Sequence, residues 1–147
     1  MKAVIQRVKQ AFVLTEGKPK NSITRGILVL LGVSKYDSMQ EAEKLAEKCF
    51  HLRIFEDANG KLNRSLLDIE GESLIISQFT LYANTEKGRR PSFTDAAPGD
   101  MAKPLYEKFV DTFRKNGIHS ETGFFGAKML VNIENDGPVT LIVQTQN

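Results

Sequence analysis

The sequence predicts an α/β fold in which a mixed, hairpin-rich sheet carries two main helices. Three observations lead there. Short β-type runs outnumber helical ones, two stretches place apolar residues at helical spacing, and turn signals separate neighbouring strands. Adjacent hairpins favour a mixed sheet with helices on one side over a doubly wound sheet. The 147 residues suit one domain spanning 1–147, since no linker, repeat or low-complexity segment divides them.

The elements follow in order. Val4-Ile5-Gln6-Arg7-Val8 and Ala11-Phe12-Val13-Leu14 read as paired strands. Glu16–Asn21 is polar, rich in turn residues, and reads as a loop. Ile27-Leu28-Val29-Leu30-Leu31 is a continuous apolar run between Gly26 and Gly32, the pattern of a strand buried on both faces. Asp37 or Ser38 can cap a helix, after which Ala42, Leu45, Ala46, Cys49 and Phe50 form one apolar face. Arg53-Ile54-Phe55 and Lys61-Leu62-Asn63 flank Asn59-Gly60, a strong hairpin signal. Leu74–Leu81 is a further strand candidate. Ala102, Leu105, Tyr106, Phe109, Val110 and Phe113 make a second amphipathic stripe that ends before Gly117. Met129–Glu134 and Val139–Thr145 are the last β-type runs. An Asp136-Gly137 turn between them would make an ordinary hairpin. Pro138 is the odd residue there, because it cannot donate to a ladder.

Composition excludes several function classes. Charged residues make up 26% and apolar residues 41%, and the formal charge is +2. That is too little for bulk nucleic-acid coating, though a local basic patch can still meet such a partner. Cys49 is the single cysteine, so no internal disulfide forms and a reducing compartment fits. Met1–Val8 alternates like a strand and lacks a signal pattern, and Ile27–Val33 is too short to span a bilayer. A cytoplasmic protein with no membrane partner is expected. His51 and His119 are far apart and no Cys or His pair has ligand spacing, so no metal is expected. Phosphate-binding and dinucleotide-binding glycine loops are missing, and no cofactor is expected. Asp57-Ala58-Asn59-Gly60 lacks the later ligands of a calcium loop and is explained as a hairpin turn.

Two stretches suggest chemistry. In Leu74–Leu81 the apolar strand is interrupted by Ser77, Gln78 and Thr80. Either the strand runs out into solvent, or its end faces a pocket with backbone N–H groups and hydroxyls. Ser77 or Thr80 as a nucleophile would need an activating base, and the flanking residues supply none. Hydrolysis at such a site points to backbone donors stabilising an oxyanion. The second stretch, Lys87-Gly88-Arg89-Arg90-Pro91-Ser92-Phe93, is a solvated turn or a phosphate-contacting loop, with Phe93 able to pack or stack.

Ser77-Gln78-Phe79-Thr80-Leu81 together with Asn135-Asp136-Gly137-Pro138-Val139-Thr140 resembles the paired signature of the D-aminoacyl-tRNA deacylases. Met1–Val8, Gly26–Val33, Arg53-Ile54-Phe55, Gly88–Phe93 and Glu121–Ala127 extend the resemblance over essentially the whole chain. It implies two β layers with the helices packed outside, a homodimer, and aminoacyl-tRNA as substrate. The implied reaction is hydrolysis of the ester joining a D-amino acid, or glycine mischarged on tRNA-Ala, to the terminal ribose. The implied catalytic group is Ser77, Gln78, Phe79 and Thr80, with the Phe79 N–H in the oxyanion hole and the ribose 2′-OH assisting water. Ala102, Phe125 and Met129 would line the terminal-adenosine subsite, although Phe125 and Met129 also suit a plain core and Ala102 a plain helix. A cis Gly137-Pro138 bond, inserted into the partner's pocket, would reject L-aminoacyl groups. Arg89 and Arg90 are candidates for tRNA phosphate contact. A non-catalytic nucleic-acid-binding module on the same fold is the other reading.

Overall fold

Residues 1–145 are described by the computed structural model. The strands are β1 (Lys2–Leu14), β2 (Asn21–Ile23), β3 (Gly26–Gly32), β4 (Phe55–Glu56), β5 (Leu62–Arg64), β6 (Glu72–Ser77), β7 (Ser120–Thr122) and β8 (Leu130–Gln144). The helices are α1 (Met39–His51) and α2 (Gly99–Lys115), and a 3-10 turn covers Phe79–Tyr82. Six strands form one mixed sheet in the order β2-β1-β3-β6-β7, with β8 added on β1, while β4 and β5 form a separate hairpin. β3 and β6 are parallel, as are β6 and β7, and the other pairs are antiparallel.

The long β1 organises this sheet. Its Lys2–Val8 segment pairs with β3, its Ala11–Val13 segment with β2, and β8 follows nearly its whole length. The expected break between Val8 and Ala11 does not occur. Lys9-Gln10 carries no turn chemistry, so the chain stays extended, and a register shift against β8 absorbs the irregularity.

β3 is buried on both faces, and its alternating side chains separate two apolar layers. Ile27, Val29 and Leu31 pack with Ile5 and Ile75 under Leu45 and Phe50 of α1 and Phe109 and Phe113 of α2. Leu28 faces the other way and packs with Val8, Val13, Leu74 and Ile76, against Val131 and Ile133 of β8. Burying each such side chain is worth roughly 1.5–3 kcal/mol, so the helices are held by their apolar stripes more than by propensity.

Ser38 caps α1. Its hydroxyl accepts from the Glu41 N–H while the Glu41 carboxylate accepts from the Ser38 N–H. Asp37 serves elsewhere, accepting from the Ser34 N–H and the Met1 amine. The Asn59-Gly60 turn forms as the spacing predicts, with Gly60 at φ 73° and the Asp57 carboxylate taking the N–H groups of Asn59 and Lys61. Those two backbone bonds hold the Asp57 carboxyl below the usual carboxylate range. Among the described residues no helix is long and apolar enough to cross a membrane.

Two further expectations need correction. The strand expected over Leu74–Leu81 ends at Ser77, and the chain tightens into the 3-10 turn. Nor do the last two β-type runs form a hairpin. Both belong to β8 and both pair with β1, with Val8 opposite Asn135 and Gln6 opposite Thr140. Asp136–Val139 therefore bulges out opposite Arg7 alone.

Candidate active site

The strand end at Ser77 opens onto a cavity of about 520 Å³. Three segments supply most of its wall. Ser77, Gln78 and Phe79 come from the end of β6, Gly99 and Ala102 from the first turn of α2, and Phe125–Ala127 and Met129 from the segment leading into β8. Six of the expected site residues are thus brought together: Ser77, Gln78, Phe79, Ala102, Phe125 and Met129.

The geometry at Phe79 follows from the way β6 ends. Gln78 N–H still donates to Leu31 O at 2.8 Å, the last tie to β3. The chain then turns, with Leu81 N–H returning to Gln78 O and Ala83 N–H to Thr80 O. The first donors of such a turn have no carbonyl behind them. Among the described residues, Phe79 N–H and Thr80 N–H donate to no protein acceptor. Gly32 allows the turn to sit this close. A Cβ there would lie 3.1 Å from Leu81 Cβ and 3.2 Å from Gln78 O.

The opposite wall is held from the same strand. Ile75 O accepts from Gly123 N–H at 3.0 Å and from the Tyr106 hydroxyl at 2.7 Å. Burial pushes the Tyr106 phenol well above its ordinary pKa, so it remains a neutral donor. Its ring lies 5.7 Å from that of Phe125. Met129 is fixed by its sulfur, which accepts from Phe124 N–H at 3.2 Å. Gly123 leaves space for that sulfur, since a Cβ would come within 2.8 Å of it.

None of the side chains lining the cavity titrates. His51 is exposed at the end of α1, where its ring bonds Glu47 O, and His119 is exposed beside Glu121. Thr80 does not line the cavity. It is exposed on the 3-10 turn, and its hydroxyl accepts from the Gln78 amide. Cys49 is on the buried face of α1, where burial pushes its thiol up to about 12. The site therefore offers hydrogen-bond donors and a shaped apolar wall, with no general base and no metal-ligand cluster among the described residues.

Gly137 and Pro138 lie apart from this cavity, exposed on the bulge of β8. The peptide bond between them is cis. Arg7, on the buried face of β1 with Ala3 and Ile5, holds the bulge by donating from Nε to Asp136 O at 2.9 Å and from one terminal nitrogen to Ile54 O at 2.8 Å. Val139 N–H donates to the Asn135 side chain at 2.9 Å. Gly137, at φ 139°, leaves no space for a Cβ, which would stand 2.8 Å from Val139 Cγ2. Arg89 and Arg90 sit at the exposed tip of a loop closed by mutual backbone bonds between Asn84 and Ser92.

Several lining residues escape sequence reasoning. Val33, Ala97, Gly126 and Val131 are small or aliphatic and carry no chemical signal. Arg7 was detectable in principle, as a cation inside the apolar alternation of β1.

Residues 4–144 match the family described as D-Tyr-tRNA(Tyr) deacylase. The chain is 56% identical over 146 residues to the D-aminoacyl-tRNA deacylase of Thermosipho africanus (strain TCF52B), covering 99% of this chain and 98% of that protein. A solved structure titled c-Myc DNA Unwinding Element Binding Protein is 42% identical, with a TM-score of 0.93 and full coverage of both chains. Another, titled as a probable eukaryotic D-amino acid tRNA deacylase, shares the fold with a TM-score of 0.83 at 20% identity over 97% of each chain.

Proposed function

The chain belongs to the D-Tyr-tRNA(Tyr) deacylase family, and on that premise we propose that it hydrolyses the ester linking a D-amino acid to the terminal ribose of tRNA. The observation that carries this reading is the free Phe79 N–H at the wall of a cavity without titratable side chains. Water attacks the ester carbonyl, and the charge on its oxygen is met by the Phe79 N–H, a preorganised backbone donor. The proton of the attacking water has no protein base to accept it, so the neighbouring 2′-OH of the substrate's ribose assists its transfer. The ester bond breaks, the ribose oxygen is protonated, and free tRNA and the amino acid leave. Ser77 and Gln78 shape the acyl end of the pocket, and Thr80 steadies Gln78 from the rim. Ala102, Phe125 and Met129 hold the terminal adenosine.

Two copies complete each site in this reading. Gly137 and Pro138 of a second copy present carbonyl oxygens to the α-carbon of the aminoacyl group. Those oxygens leave no space for an L side chain, while a D side chain points elsewhere. Glycine has nothing to exclude, so glycine mischarged on tRNA-Ala is hydrolysed too. Arg89 and Arg90 supply phosphate contacts. The reducing interior of the cell, where aminoacyl-tRNA is found, suits the lone thiol.

The solved relative titled as a DNA-element binding protein favours keeping one second reading, a nucleic-acid-binding module without catalysis. One experiment separates the two. With D- and L-tyrosyl-tRNA supplied in parallel, release of D-tyrosine with L-tyrosyl-tRNA spared supports the deacylase. RNA binding with both esters intact would leave only the binding module.

A further inference from the structure

At the rim of the cavity one side chain, Phe93, has no part in the reaction proposed above. Phe93 and Phe79 form an edge-to-face pair, with ring centroids 5.1 Å apart and planes at 67°. Both rings are open to solvent, Phe93 at 37% and Phe79 at 55% exposure. Phe79 lines the cavity and Phe93 does not, so the pair leads outward from the rim. The backbone at Ser92 closes the loop that carries Lys87, Arg89 and Arg90. Among the described residues those three cations make no ion pair. An exposed aromatic face beside unpaired cations is the arrangement that holds single-stranded nucleic acid, by base stacking together with backbone attraction.

We propose that Phe93, seated on Phe79, is a stacking platform for the nucleobase immediately before the terminal adenosine of tRNA. The inference rests on the aminoacyl-tRNA reading, which puts that adenosine in the cavity. The next nucleotide then emerges at the rim, about one base away. Its base meets the open face of Phe93, and its phosphate meets the cationic loop. Phe79 then has two parts to play: its N–H serves the oxyanion of the proposed reaction, and its ring props Phe93. Stacking is tolerant of base identity, so the platform would fix the strand's path without selecting among tRNAs.

The test uses the full chain and an uncharged acceptor-stem minihelix RNA with its single-stranded 3′ end, carrying 2-aminopurine next to the terminal adenosine. Wild-type protein should quench the fluorophore on binding. Phe93→Ala should weaken binding about tenfold and abolish the quench. Phe93→Leu keeps an apolar contact with Phe79 but has no π face, and should behave like Phe93→Ala. Phe93→Trp should restore both affinity and quench, which also covers the case in which the alanine variant folds poorly. Unchanged affinity and quench in Phe93→Leu would overturn the platform and leave Phe93 as packing over Phe79. The RNA carries no ester, so this result is independent of hydrolysis. A wild-type chain that stacks the base yet cleaves no D-tyrosyl-tRNA would sink the deacylase reading and still support the platform.

Discussion

Thr80 shows how far a single residue can be read. Its hydroxyl stands in a polar interruption of an apolar strand, the right residue type for a nucleophile. The structure puts that hydroxyl on an exposed turn, accepting from Gln78, with no base lining the adjacent cavity. A serine or threonine nucleophile without a base is a weak one. Thr80→Ala should therefore keep kcat/KM within about tenfold, whereas loss of a true nucleophile costs on the order of 10⁶. Quench-flow followed by mass spectrometry should find no aminoacyl adduct on the protein. An adduct on Thr80, with activity gone in the alanine variant, would defeat the water mechanism. Ser77 and Gln78 were legible as polar interruptions of an apolar strand, and Phe79 only through the family resemblance. The role of Arg7 was not, because its partners Asp136 and Ile54 lie far away in sequence.

At the scale of elements, the two helices and β3 follow directly from apolar periodicity, and the β4–β5 hairpin from Asn59-Gly60. Strand ends are harder to read. Local pattern separates Val4–Val8 from Ala11–Leu14 and breaks the C-terminal runs at Asp136-Gly137, yet β1 and β8 run through both places. Between Val8 and Ala11 no turn chemistry stops the strand, and at Asp136-Gly137 the ladder to β1 resumes past the bulge and outweighs the local turn preference. The end of β6 was misplaced for the converse reason. Leu81 looks apolar enough for a strand, but the 3-10 turn packs it against Gly32 instead. That contact makes a prediction. A Cβ at Gly32 sits 3.1–3.2 Å from Leu81, Gln78 O and Tyr82, so the turn must shift by a few tenths of an ångström. Gly32→Ala should lower the melting temperature by only about 4 °C. It should lower kcat/KM about tenfold, because the turn it displaces carries the Phe79 N–H, the proposed oxyanion donor. Full activity with a normal melt would show that the position of the turn does not set the rate.

The whole molecule leaves a strand edge to explain. Among the described residues β8 pairs only with β1, so a fifteen-residue strand keeps one edge open. Ile142 is 74% exposed and Leu130 67%, and both lie on this strand. Long open edges carrying apolar residues invite pairing with another chain, and a protein that keeps one has a use for it. The Gly137-Pro138 bulge is on the same strand, away from its own cavity. A second copy docked along β8 would bury Ile142 and carry each bulge toward the other's pocket, as two-fold symmetry requires. Light scattering should then give twice the 16.4 kDa mass of the chain. Ile142→Lys places a charge in that contact without touching cavity or bulge, and should shift the chain toward monomer. The monomer's pocket would lack its stereochemical wall. Its D-over-L preference should fall together with the dimer fraction as protein is diluted, and recover as protein is concentrated. A wild-type monomer with full D-preference would remove the partner from the mechanism, and the selectivity would then have to come from the cavity walls of a single chain.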